Sequence, residues 1–196
     1  MHTMSKRQSA TQPSARDLPP KPPVDLAPGL TIADSAMLVG TENIIIMSES
    51  VIHPRCRIES TYGNVIIGSR CVIQERAHLG ARSHGQQTDG SVMIGNYVTV
   101  EAAAVVETGD TQIGEGSVVG IGARIGGGAS IGKNCTIAPH VLIPPGAEIP
   151  PLTVVYGNNL QMRKDRRDII ELKRRAQARQ IEVLRKMIPS NPAKFQ

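Results

Sequence analysis

The sequence predicts a mainly β protein: a single-stranded parallel β-helix of six to seven coils, with a long C-terminal α-helix packed along it. Three observations carry this. An aliphatic residue recurs every six positions through most of residues 30–158. Aromatic residues make up 2% of the chain and tryptophan is absent, so the core must be narrow and aliphatic. Residues 160–188 hold neither glycine nor proline and are rich in helix-forming side chains. At 196 residues the chain is long enough for one core with appended elements and too short for two large domains.

Residues 1–29 contain six of the 14 prolines (Pro13, Pro19, Pro20, Pro22, Pro23, Pro28) among Ser, Thr and Gln. With almost nothing apolar to bury, they are expected to form a disordered or extended tail. No stretch of 18 apolar residues and no apolar N-terminal run is present, so neither a membrane span nor a signal peptide is expected.

The repeat begins near Leu30 and is clearest at its end, where Ile113, Val119, Ile125, Ile131, Ile137, Ile143, Ile149 and Val155 follow at intervals of six. Ile, Leu and Val account for 47 of 196 residues, so a chance run of eight has a probability of about 10⁻⁵ per frame. The fifth residue of each hexad is small or slender: Ser117, Ala123, Ala129, Cys135, Val141, Ala147 and Thr153. Upstream the hexads continue with interruptions through Ile32, Leu38, Ile44, Ile52, Ile58, Ile67, Ile73, Leu79, Ile94, Val100 and Val106. The largest interruption, within Gly80–Met93, must leave the repeat as a loop and carries His84.

A period of six matches neither a helix nor an alternating strand. It matches a short strand plus a corner, three to a coil, which builds a triangular prism. The first aliphatic of each hexad then points inward, the fifth residue fills the corner, and glycine and proline serve the turns. With coils about 4.8 Å apart, six to seven of them stand roughly 30 Å tall.

The helix is expected over residues 159–188, capped by Asn158 or Asn159 and stopped by Pro189, with residues 189–196 as a short tail. At about 1.5 Å per residue it can lie along one face of the prism. Its apolar residues form two neighbouring stripes, one of Ile170, Ile181, Leu184 and Ile188, the other of Ile169, Leu172, Ala176, Val183 and Met187. The net charge of +5 is located here: residues 160–188 carry ten basic and four acidic residues, which makes that segment +6. With no interleaved aromatics it is not a nucleic-acid site, and without Trp or Phe in the stripes it is not a membrane-inserting helix. Arg163, Arg166, Arg167, Arg174, Arg175 and Arg179 are the candidates for contact with an acidic protein partner.

All three cysteines (Cys56, Cys71, Cys135) occupy fifth hexad positions, which makes them corner fillers rather than nucleophiles or ligands. Their spacing excludes a disulfide scaffold and a cysteine-built zinc site. Among the histidines, only His84 has a setting that suits a general base of an acyltransferase.

The hexads resemble the hexapeptide-repeat families, and that resemblance implies a left-handed coil. The stretch Cys71-Val72-Ile73-Gln74-Glu75, the inserted loop and the hexads from Ile94 resemble the γ-class carbonic anhydrases in register. Where those enzymes place three zinc-binding histidines, this chain has Gly80, Ala102 and Glu107, so the resemblance implies a lost metal site, with Gln74 surviving without its metal. The run Val154-Val155-Tyr156-Gly157, the charged helix and its close at Lys186-Met187-Ile188-Pro189 resemble the dynactin subunit 6 family over about residues 30–190. That resemblance implies a non-enzymatic structural subunit of the dynactin pointed-end complex, cytoplasmic and cytoskeleton-associated, with no cofactor. Its implied partners are a second left-handed β-helix subunit, other pointed-end subunits and the actin-related filament end. The alternative carried by the fold is a homotrimeric hexapeptide acyltransferase or γ-carbonic-anhydrase-like enzyme.

Overall fold

The computed structural model describes residues 21–82, 89–157 and 159–195. Three parallel sheets form the faces of a triangular prism. The first face stacks Val24–Leu26, Ile44–Ile46, Val65–Ile67, Val92–Ile94, Thr111–Ile113, Ser130–Ile131 and Glu148–Ile149. The second stacks Thr31–Ile32, Val51–Ile52, Val72–Ile73, Thr99–Val100, Val118–Val119, Thr136–Ile137 and Thr153–Tyr156. The third stacks Met37–Gly40, Arg57–Ser60, His78–Ala81, Val105–Glu107, Arg124–Ile125 and Leu142–Ile143. The chain visits the faces in rotation, which gives, among the described residues, six complete coils and two strands of a seventh.

The hexad register explains the packing. The core-facing residues Ile113, Val119, Ile125, Ile131, Ile137, Ile143, Ile149 and Val155 are all buried, and each pairs in register with its counterpart one coil away, as Ile113 does with Ile131 and Val119 with Ile137. Of the upstream first positions only Leu38 is partly exposed. Fifth positions of the regular hexads are buried too, apart from the half-buried Ala147, with Cys56, Cys71, Ala77, Ala123, Ala129 and Cys135 completely so. The residue that turns the corner is the fourth, which takes left-handed backbone angles even where it is not glycine, as at Arg70 (φ 57°) and Tyr97 (φ 57°). The glycines at second positions serve closeness instead: a Cβ on Gly126 would lie 2.5 Å from the Pro145 nitrogen of the next coil.

Three boundaries differ from the sequence expectation. The solenoid starts earlier than Leu30, because Val24–Leu26 pairs with Ile44–Ile46. Leu26 stands six residues before Ile32 and extends the hexad frame, which the surrounding prolines obscure. Residues 1–20, most of the expected tail, lie outside the described residues.

The helix spans Ile170–Met187, not 159–188, and no side chain among the described residues caps its start. Residues Gln161–Lys164 instead form a strand antiparallel to Thr153–Tyr156. The last coil would otherwise leave the groups of that strand unpaired, and satisfying them outweighs the weak helical preference of four residues.

The final segment is not a free tail. Ser190 forms an antiparallel bridge with Ala33, its Oγ accepts from the Ile32 amide at 2.9 Å, and Phe195 is buried against the main core. The helix therefore returns the chain from the last coil to the first, where Phe195 closes the open end of the aliphatic column.

Candidate functional site

The positions that correspond to zinc ligands in the γ-carbonic anhydrases lie on and beside the third face. Gly80 and Glu107 sit on adjacent paired strands, whereas Ala102 lies in the corner that precedes Val105–Glu107. Gly80 has φ 79°, and a Cβ there would lie 1.9 Å from the Glu59 carbonyl oxygen, so this backbone admits no side chain. Glu107 is buried, and its Oε1 accepts a hydrogen bond from Arg124 Nη1 at 2.9 Å. A guanidinium in that place opposes a cation through like charge.

Gln74 is on the second face, lining a hollow under the helix with Thr99, Glu101, Gln177 and Gln180. His84 lies outside the described residues.

The third face carries a second charged group. Glu59 Oε2 accepts from Arg57 Nε at 2.9 Å and lies 3.1 Å from His78 Nε2. Burial raises the Glu59 carboxyl, but Arg57 and His78 outweigh it and hold the group below its ordinary value. Burial pushes the His78 imidazole below its ordinary value, against the opposing pull of Glu59. His53, with its buried Nε2 lacking a hydrogen-bond partner among the described residues, is lowered by burial as well. The thiols of Cys56 and Cys71 are pushed up to about 12 by burial, which keeps them protonated and inert.

The basic candidates separate into two groups. Arg174 points at the prism: its Nη2 donates to Glu115 Oε1 at 2.6 Å and its guanidinium lies over the Tyr97 ring, 5.2 Å from the centroid. Arg70 lies 5.6 Å from the centroid of the same ring, donates to Tyr97 Oη at 2.8 Å, and pairs with Glu49. Gln177 Nε2 donates to the Arg70 carbonyl at 3.0 Å and to Thr99 Oγ1 at 3.2 Å. These contacts and the apolar group of Ile181 with Val51 and Val72, flanked by Leu184 and Ile188, dock the helix on the second face.

Of the six arginines named as candidates for contact with a partner, Arg174 is thus engaged with the prism itself. Arg163, Arg166, Arg167, Arg175 and Arg179 are exposed. Of these, Arg167 is held by Asp165 at 2.8 Å and Arg175 by Glu171 at 3.2 Å. The two apolar stripes also part company: Ile181 is buried, whereas Leu172, Val183 and Met187 are 68%, 55% and 70% exposed.

Sequence reasoning missed Glu49, Tyr97, Glu115 and Gln177. Arg70 and Tyr97 hold the fourth place of hexads on successive coils, a signal legible in the sequence; Glu49 joins them because Ile46, not Ile44, stands in register with Ile67, which makes Glu49 the fourth residue of its own coil's hexad.

Solved structures share this fold. A Bacillus cereus protein provisionally described as an acetyltransferase superposes with a TM-score of 0.73 at 22% identity, covering 84% of this chain and 91% of its own. A hexapeptide transferase family protein from Anaplasma phagocytophilum gives 0.64 at 15% identity, covering 86% and 99%. AntD, an N-acyltransferase from Bacillus cereus, gives 0.51 at 16% identity, covering 85% of each chain. At these identities the likeness establishes the left-handed hexapeptide-repeat β-helix and no activity. No curated protein sequence matches the chain. The family model of dynactin subunit 5 matches residues 22–169. The sequence resemblance carried the number six rather than five, a difference of naming between β-helix subunits of dynactin. With three quarters of its length matched by that model, this chain belongs to the dynactin subunit 5 family.

Proposed function

We propose that the chain is a non-catalytic structural subunit of the dynactin pointed-end complex, acting in the cytoplasm to support cargo engagement by dynein and dynactin and microtubule-based transport. Family membership supports assembly with dynactin. The observation that carries the non-catalytic reading is the third face. The Glu59 carbonyl closes one ligand position of the related enzymes at Gly80, and Arg124 neutralises another at Glu107.

The partners of this reading are a second left-handed β-helix subunit, other pointed-end subunits and the actin-related filament end. Its contact residues are Arg163, Arg166, Arg167, Arg175 and Arg179, with the exposed helix residues Leu172, Val183 and Met187 as apolar contacts. A basic and apolar surface of this kind suits an acidic protein partner.

The test is purification of the tagged chain from native extract with identification of what accompanies it, alongside metal analysis and acetyl-CoA binding on the isolated chain. Pointed-end subunits in constant ratio, with neither zinc nor acetyl-CoA bound, are expected. A homotrimer that binds acetyl-CoA, or stoichiometric zinc whose chelation abolishes CO₂ hydration, would replace this reading with the enzymatic one.

A further inference from the structure

The strand Gln161–Lys164 ends the second sheet, and no other strand covers it among the described residues. The Asp165 amide donates to the Leu152 carbonyl, so that pair is hydrogen-bonded, and bonded pairs alternate along an antiparallel ladder. Lys164 opposite Thr153 and Met162 opposite Val155 are therefore the non-bonded pairs. The Val155 carbonyl agrees, since it accepts from Ala138 of the preceding coil and not from the added strand. The N–H and C=O groups of Met162 and Lys164 consequently point away from the sheet, about 6.6 Å apart by the strand repeat. All four residues of the strand are exposed.

The side chains beside this edge have a definite character. Met162 and Lys164 share a face of the sheet with Thr153 of the neighbouring strand and help line a pocket of about 300 Å³ with Pro150, Pro151 and Arg163. Met162 is 42% exposed. Arg163, Lys164 and Arg166 have no carboxylate partner among the described residues, whereas Arg167 is neutralised by Asp165. The four-residue edge carries no proline and no described strand covers it; its basic side chains oppose pairing with a like-charged strand and leave it open to an acidic one.

We propose that the edge of Gln161–Lys164 is a strand-addition site for an extended acidic segment of another protein. The segment hydrogen-bonds to Met162 and Lys164 and sets an apolar side chain into the Pro150–Met162 pocket. Its carboxylates meet Arg163, Lys164 and Arg166. Charge excludes the closer occupants. The chain's own first 20 residues carry Lys6, Arg7 and Arg16 against Asp17. A second copy paired through the same edge would bring two basic strands together, which like-charge repulsion opposes. The proposal deepens the scaffold reading by giving one partner surface its chemistry.

The experiment uses the full chain and a blocked octapeptide that alternates valine with glutamate, with the valine–lysine peptide as control. Hydrogen exchange and NMR titration are read at the Met162 and Lys164 amides. Protection of both by the acidic peptide alone is expected, with binding that weakens as salt rises. Met162→Pro removes an outward N–H that no native bond uses, and should abolish binding while leaving the thermal midpoint near wild type. The Arg163→Glu, Lys164→Glu double variant, which keeps the backbone edge, should weaken binding at least tenfold. No protection at millimolar peptide, or equal binding by the lysine peptide, would overturn the proposal, as would undiminished binding by a folded Met162→Pro chain. Peptide binding at this edge by a chain that recovers no pointed-end subunit from extract would uphold the site and remove the scaffold reading instead.

Discussion

Truncating Ile181 to alanine tests how the helix is held. Ile181 is 4% exposed and packs on Val51 and Val72, both fully buried. The substitution removes three carbons, worth about 0.8 kcal/mol each, or roughly 2.4 kcal/mol of transfer free energy. The cavity adds little, because a helix lying on a sheet can settle into the gap, so the loss stays near the lower end of the usual 2–5 kcal/mol range. An isolated helix of 18 residues is marginal in water, so loss of docking appears as unfolding of the helix. By the tenfold-per-1.4 kcal/mol rule, amides of Leu172–Met187 should exchange about 50-fold faster while those of the β-helix keep their protection. Leu172→Ala, on the same helix but 68% exposed, should leave both unchanged. Equal exchange in wild type and Ile181→Ala, or an equal effect of Leu172→Ala, would refute the assignment of the docking face.

Three further predictions follow from named contacts. Arg174→Glu loses the charged hydrogen bond to Glu115 and places two carboxylates together, and should lower stability by about 1–3 kcal/mol, whereas Arg175→Glu on the exposed side should change it by less than about 0.5 kcal/mol, both read by chemical denaturation. Gly126→Ala puts a Cβ against the backbone of the next coil and should cost about 1–3 kcal/mol; an unchanged thermal midpoint would show that the coils can separate locally. The folded-state values of His53 and His78 are depressed, so their stabilising contribution is present above the ordinary value of about 6.5 and is lost as pH falls through the lower folded values. The thermal midpoint should therefore drop between pH 7.5 and pH 5, and His78→Gln should flatten part of that slope. Superimposable profiles for the two proteins would contradict it.

The difference between Ile181 and Leu172 shows where sequence reading stops. Both belong to apolar stripes of one helix, and periodicity cannot rank two stripes that neighbour each other. The choice depends on which stripe meets Val51 and Val72 when Arg174 reaches Glu115, and those partners are 59 or more residues away. The candidate arginines divide for the same reason. Composition marked the segment as basic, but only packing turned Arg174 inward and left Arg163 and Arg166 on the surface. Conversely, that Gly80 and Ala102 lack any ligating atom is legible in the sequence alone, and the structure adds that Gly80 admits no side chain and that Arg124 holds Glu107.

By itself the sequence determined the prism: its three faces, its inward residues, the cysteines in the corners and the existence of a C-terminal helix. A solenoid repeats one local rule, so each hexad reports its own conformation and its contact with the next coil. The tertiary structure alone decided that Val24–Leu26 opens the repeat, that Gln161–Lys164 is a strand, and that Phe195 closes the first coil. Those features occur where the repeat stops. There the unpaired backbone and the open end of the core are satisfied by whichever distant segment reaches them, and no local pattern records that choice.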